Sequence, residues 1–205
     1  MCHNVTDVVA AGEKPNETVF QQTLGINSFY LANDPRRVSY PAGNSRRWPL
    51  GSIQMLPRAG RPDVRERAVG FRLTTEDLPR PDNRVTIDHT GRPHLAYAAT
   101  NGGEAAILRH ELEAMLGHAD LRVASGETLP AAGLPGDTIA DQAGTCRFGT
   151  DPETSVLDVN CKAHELDNLY VADASLLPSV GAVGPALTVM ANAIRVGEHL
   201  VHRLR

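Results

Sequence analysis

Residues 169–200 read LYVADASLLPSVGAVGPALTVMANAIRVGEHL, and the order of residue types in this stretch decides the fold. Leu169, Tyr170, Val171 and Ala172 form a continuous apolar run of strand length, which asks for burial on both faces. The run breaks at Asp173-Ala174-Ser175, and Pro178, Gly181 and Gly184 mark a turn. Pro185 then stands where a first-turn proline belongs. Leu187, Met190, Ile194, Gly197 and Val201 follow along one side of a helix of roughly five turns. Arg203 and Arg205 close that helix with charge that suits the negative end of its dipole. Strand, polar turn and helix N-terminus together make a surface suited to an oxygen-rich or anionic ligand. Spacing alone indicates a kind of site here, not a reaction.

Working back along the chain, residues 124–138 look like loop. Before them, Thr100-Asn101-Gly102-Gly103 opens a helix that ends at Gly117. In this helix Leu108, Leu112 and Met115 share a face, with Ala105 and Leu116 adjoining it. His110 and His118 read as solvent-facing polar positions. Residues 68–73 (AVGFRL), 84–88 (RVTID) and 94–98 (HLAYA) have strand character, and one small antiparallel sheet covered by the helix is the simplest arrangement. The first seventy residues are punctuated by prolines and glycines, with short apolar patterns only at 18–24 and 51–56, and read as loop-rich. The expected fold class is therefore α+β: an antiparallel sheet covered by helices, followed by the C-terminal strand-turn-helix.

Composition narrows the function. The 205 residues are ample for a core. Twenty Lys+Arg against 24 Asp+Glu give a formal charge of -4, which makes nucleic acid an unsuitable partner. Three cysteines, Cys2, Cys146 and Cys161, are too few for a secreted disulfide framework and point to a reducing, cytoplasmic setting. No run of 18 apolar residues offers a membrane span, and the N-terminus has no signal-peptide pattern. Cys161-Lys162-Ala163-His164 has metal-ligand spacing with Cys146 upstream, but no fourth ligand is evident, so no metal is expected. No Gly-x-Ser-x-Gly motif supports a serine hydrolase, and no His–Asp arrangement is tied to a cysteine.

Residues 141–149 (DQAGTCRFG), 155–158 (SVLD), 169–178 (LYVADASLLP) and 185–200 (PALTVMANAIRVGEHL) closely resemble, in order and spacing, the C-terminal region of the glucose-methanol-choline (GMC) family of FAD-dependent alcohol oxidoreductases. Residues 71–85 (FRLTTEDLPRPDNRV) and the following hairpin and helix look like that family's substrate domain. The resemblance implies that 1–66 is a linker and lid region, 67–140 the substrate-domain sheet and helix, and 141–205 the flavin-facing wall. It also implies that the C-terminal strand-turn-helix returns to the FAD domain.

Chemically, it implies hydride transfer from a CH–OH carbon to a flavin while a base takes the hydroxyl proton. The family's histidine base falls at Asp141, and its second hydrogen-bonding group, His or Asn, at Gly184. A carboxylate beside a flavin that becomes anionic opposes the developing charge, and glycine has nothing to offer the substrate oxygen. The cofactor contacts that remain are Asp173, Ala174, Pro185, Ala186 and Leu187. The Gly-x-Gly-x-x-Gly fingerprint that cradles a dinucleotide diphosphate occurs nowhere in the sequence. In complete relatives the segment resembling residues 1–4 is internal, so Met1 reads as an internal methionine serving as a start.

Two functions follow. One is the substrate-side part of an alcohol oxidoreductase, working with an FAD-domain chain. The other is a non-catalytic remnant or binding module that keeps the fold. Self-association through an exposed C-terminal helix is a further expectation.

Overall fold

The computed structural model describes residues 1–15, 24–27, 51–56, 65–98, 100, 102–128 and 141–205, which fall into two compact units interleaved along the chain. The apolar pattern at 18–24 lies almost wholly outside the described residues, as do the turn-rich 28–50 and the stretch 129–138.

One unit draws on residues 4–76 and 101–133. It contains β1 (Asn4–Ala11), β2 (Gly25–Ile26), β3 (Ser52–Leu56), β4 (Ala68–Thr75), α1 (Gly102–His118) and β7 (Arg122–Thr128). The strands form an antiparallel sheet in the order β2-β3-β4-β1-β7. Register sets one face: Thr6 lies opposite Leu73, Val8 opposite Phe71, Ala10 opposite Val69, and Ile53 opposite Leu73. Val8, Ala10, Ile53, Phe71 and Leu73 from this face, with Leu108, Leu112 and Leu116 of α1, make the core, and Thr6 is buried beside them. Residues four apart on the helix thus meet residues two apart on the strands, the two periods that the sequence carries. On the other face Arg72 lies opposite Asp7 and donates to both its carboxylate oxygens, at 2.8 and 2.7 Å.

Two expectations fail here. Residues 4–11 are not loop but β1, the sheet's second-from-edge strand. Its inward positions include Thr6, so apolar alternation understates it. Likewise the loop expected from Ala124 is strand through Thr128. The β1–β7 register shifts between Val9 and Ala10, pairing Val9 with Ser125 and Ala10 with Val123, so Ala124 is the extra residue of a bulge that breaks the period.

The second unit draws on residues 1–3, 77–100 and 134–205. It contains the hairpin β5 (Arg84–Ile87) and β6 (Pro93–Ala96), a 3-10 turn (Ala174–Leu176) and α2 (Ala186–Arg203). The hairpin is a separate two-stranded sheet and not a continuation of β4, which corrects the single sheet expected. Its turn is held by Asp88, whose Oδ1 accepts from Thr90 Oγ1 (2.6 Å), Thr90 N (2.7 Å) and Arg92 N (3.0 Å). Those bonds, the Thr90 hydroxyl foremost, hold the Asp88 carboxyl below its ordinary range.

The core of this unit is irregular, built from Leu157, Cys161, Leu176, Leu177, Val180 and Val196 with Val189 and Leu200 packed against it. Residues 169–172 do not form a ladder: Tyr170 makes one isolated bridge to Lys162, and Leu169 is 46% exposed. The apolar run therefore reports a strand-like segment with no second neighbour among the described residues. α2 buries Val196 and half-buries Val189 and Leu200, which leaves Leu187, Met190, Ile194 and Val201 exposed on its other side. The helix runs the five turns expected, and its most regular apolar stripe is the outward one.

Gly51 precedes β3 with φ +148°, and a Cβ there would lie 2.1 Å from the Thr74 carbonyl oxygen. Both the backbone and the contact require glycine. Gly51→Ala is expected to lower stability by at least about 2 kcal/mol, from strain of about 1–3 kcal/mol plus the clash. Urea unfolding monitored by circular dichroism is the check; a change under about 0.5 kcal/mol would contradict this account of the β3 entry.

Candidate functional site

Within the second unit, backbone hydrogen bonds bring the sequence-predicted site segments together. Gly144 N donates to Ala174 O (3.3 Å), Cys146 N to Ser175 O (2.9 Å) and Phe148 N to Leu176 O (3.1 Å). Ala143 N donates to Met1 O (3.0 Å), which lays residues 1–3 alongside. Gly144, at φ +83°, permits the close pass: a Cβ there would lie 2.1 Å from Met1 Cε. The result is a cavity of about 460 Å³ lined by Cys2, Tyr97, Gln142, Thr145, Asp173 and Ser175, with Met1, Val85, Leu95, Ala143 and Ala174 as its apolar part. That volume is within the range of small-molecule sites.

Behind the wall sits a polar network that sequence reasoning missed. Asp77 is fully buried. Its Oδ2 accepts from Cys2 N (3.0 Å) and the Tyr97 hydroxyl (3.0 Å), and its Oδ1 from the Thr100 hydroxyl (2.5 Å). The Cys2 thiol in turn donates to Tyr97 Oη at 3.1 Å. Burial pushes the thiol up, and the nearby Asp77 charge adds to this, against the opposing Tyr97 bond. Burial, with the Cys2 bond and the Asp77 charge, also lifts the Tyr97 phenol far above its ordinary range. A thiol held protonated in this way is not a nucleophile. The sequence signal was faint: an acid inside TTEDLP reads as surface turn until its partners are known.

Asp141 has φ +61°, and its Oδ2 lies 3.1 Å from Nδ1 of His3, whose side chain is 3% exposed. His3 Nε2 is buried with no hydrogen-bond partner among the described residues. Gly184 precedes α2 with open space where a side chain would stand. Asp173 caps the 3-10 turn: its Oδ1 accepts from Ser175 N (2.8 Å) and the Ser175 hydroxyl (2.5 Å). These bonds, the hydroxyl first, hold its carboxyl below the ordinary range. At α2, Pro185 is the N-cap and supplies no side-chain bond, so the first-turn N–H groups of Ala186 and Leu187 have no side-chain cap.

The structure brings Asp173 and Ala174 to the cavity, while Asp141, Gly184, Pro185, Ala186 and Leu187 are outside its lining. Cys161 and His164 engage different protein groups: the Cys161 sulfur accepts from Asn192 and Arg195, and His164 Nε2 pairs with the Ser155 hydroxyl. That hydroxyl donates to Asp151 O (2.7 Å), so its proton is unavailable to the histidine and the pair is no nucleophile–base couple.

Comparison with known proteins bears on the same segments. A family model described as GMC oxidoreductase matches residues 79–193. The chain is 41% identical over 61 residues to a 6'''-hydroxyparomomycin C oxidase of Streptomyces lividus, covering 30% of this chain and 11% of that protein. It is 29% identical over 134 residues to a 2-methyl-1,2-propanediol dehydrogenase of Mycolicibacterium austroafricanum, 62% of this chain and 24% of that protein. The fold matches a crystal structure of pyridoxine 4-oxidase from Mesorbium loti, with TM-score 0.54 and 22% identity over 98% of this chain and 44% of that one. The chain thus spans a minor part of each.

Asp77→Ala would leave three donors without an acceptor in the protein interior, and is expected to cost roughly 3 kcal/mol or more. Thermal and urea unfolding measure it, and a loss below about 1 kcal/mol would remove Asp77 from its central place. At Asp173, Ser175→Ala removes the hydroxyl and is expected to move the carboxyl up toward its ordinary value, followed by NMR titration. An unchanged titration would mean that the hydroxyl does not hold the charge.

Proposed function

The chain belongs to the GMC oxidoreductase family as a C-terminal region of it, and from that premise we propose that it forms the substrate-side part of an FAD-dependent oxidoreductase acting on CH–OH groups. Its role is to supply the substrate cavity and one wall of the flavin site. The observation that carries this reading is the cavity of about 460 Å³, where 142–145 and 173–175 meet the β5–β6 hairpin.

The residues present fit FAD in part. The uncapped α2 N-terminus, with Ala186 and Leu187 and open space at Gly184, suits an oxygen-bearing ring edge, and Asp173 with Ala174 flanks the cavity. No glycine-rich phosphate turn accompanies them in the sequence. A flavin-binding portion outside these residues therefore completes the enzyme.

Two site features support a chain that does no redox chemistry by itself. Asp141, at the family's base position, has its carboxylate engaged with the buried His3, and Gly184 brings no side chain to the substrate oxygen. The same features are what a non-catalytic binding module with this fold would show. The exposed Leu187, Met190 and Ile194 supply an apolar face for the flavin-binding portion or for self-association. The three cysteines are free, which fits a reducing compartment, and no described helix is long and apolar enough to cross a membrane.

The purified chain is expected to be colourless and without alcohol oxidation. Flavin absorbance near 1:1 after dialysis would overturn the proposal that the site is incomplete. Asp141→His with Gly184→Asn is sterically allowed, since histidine tolerates the left-handed region and position 184 is open. That double variant is expected to stay inactive until a flavin-binding chain is added; turnover by it alone would show that the missing base, not the cofactor, was limiting.

A further inference from the structure

The cavity lining turns its protons inward. The Cys2 thiol donates to Tyr97, Tyr97 donates to Asp77, and the Ser175 hydroxyl donates to Asp173. These groups leave lone pairs for a ligand. Rotating the Tyr97 proton toward a ligand would take a donor from a fully buried carboxylate, whereas accepting from a ligand costs only the bond from a thiol, a weak donor. The phenol keeps its proton at any working pH, because burial and the Asp77 charge both oppose its loss. Gln142 and Thr145, both exposed, are the lining side chains able to donate without such a penalty.

We propose that this cavity recognises an alcohol by accepting its hydroxyl proton at Tyr97 Oη, and so discriminates against the carbonyl compound that oxidation of that alcohol would give. The inference rests on the reading above that this cavity is the substrate site. At Tyr97 Oη a ketone or aldehyde of the same shape brings only lone pairs to a lone pair and desolvates it without return, whatever it accepts from Gln142 or Thr145, which serve an alcohol oxygen equally. Met1, Val85, Leu95, Ala143 and Ala174 suit a compact aliphatic or alicyclic body for the ligand. Discrimination of this sign holds substrate and lets product go, and Tyr97 provides it as a specificity-determining residue without taking part in proton abstraction.

Cyclohexanol and cyclohexanone, nearly equal in shape, are the probes, titrated into the full 15N-labelled chain and followed by NMR. Cyclohexanol is expected to bind roughly 3- to 10-fold more tightly, the worth of one neutral hydrogen bond. Tyr97→Phe should bring the ratio close to one, lowering cyclohexanol affinity without lowering that of cyclohexanone, which no longer desolvates the phenol oxygen. Cys2→Ala, which removes the competing thiol, should raise cyclohexanol affinity, a gain that damage to the fold would not produce. It decides the matter if Tyr97→Phe fails to fold by circular dichroism.

Equal binding of the two probes to the unmutated chain, a preference that survives Tyr97→Phe, or no gain in Cys2→Ala would overturn the inference and leave the substrate-side reading standing. Binding of neither probe would overturn both.

Discussion

The buried carboxylate of Asp77 is the constraint on which the second unit's site depends. A charge removed from water is tolerated only when its lone pairs are met, and three donors meet these: the Cys2 backbone, the Tyr97 phenol and the Thr100 hydroxyl. They come from residues 2, 97 and 100, and Asp77 itself bridges to Val180. Four separate pieces of chain are thereby fixed around one group. The cavity follows as a consequence, because Cys2 and Tyr97, set by this network, are two of its walls. The two-stranded hairpin benefits too: such a ribbon is marginal by itself, and Tyr97, just beyond β6, anchors it to a buried charge.

Legibility in the sequence tracked period and burial. α1 could be read because Leu108 and Leu112 repeat at helical spacing and both are buried, and β4 because residues 68–73 are apolar at every position but Arg72. β1 was hidden by an inward threonine, Thr6, and β7 by the bulge at Ala124, since both erase the two-residue alternation that marks a half-buried strand. Residues 169–172 failed in the opposite sense. Their apolar run is real, but an apolar run reports a preference for burial and not the presence of a neighbour, and Leu169 is left half exposed.

The candidate site was legible only where a motif carried it. Residues 141–145 and 173–175 could be placed from the family pattern, and backbone bonds do bring them together. Asp77, Tyr97, Cys2 and His3 could not, because each owes its significance to a partner distant in sequence: Tyr97 to Asp77 across 20 residues, Cys2 to Asp77 across 75, and His3 to Asp141 in the segment that Met1 and Ala143 align. No local signal encodes such pairings. A lone acid, phenol or thiol in a single sequence reads as a solvent-facing group or as packing.

The His3–Asp141 pair and the Asp77 network are physically separable in this arrangement. At Asp141 a left-handed backbone and an unpartnered His3 Nε2 are tolerated together, each at a cost of about 1–3 kcal/mol. The Asp141 carboxylate is already engaged there, and it stands outside the cavity lining. The Asp77 network shows the reverse: every donor is matched, and the groups facing the cavity are fixed in direction as well as place. Chain pieces 1–3 and 141–145 serve both, with Cys2 and Gln142 in the cavity wall next to His3 and Asp141 in the strained pair. Residues 141 and 184 can therefore change while the cavity wall built on residue 77 remains as it is.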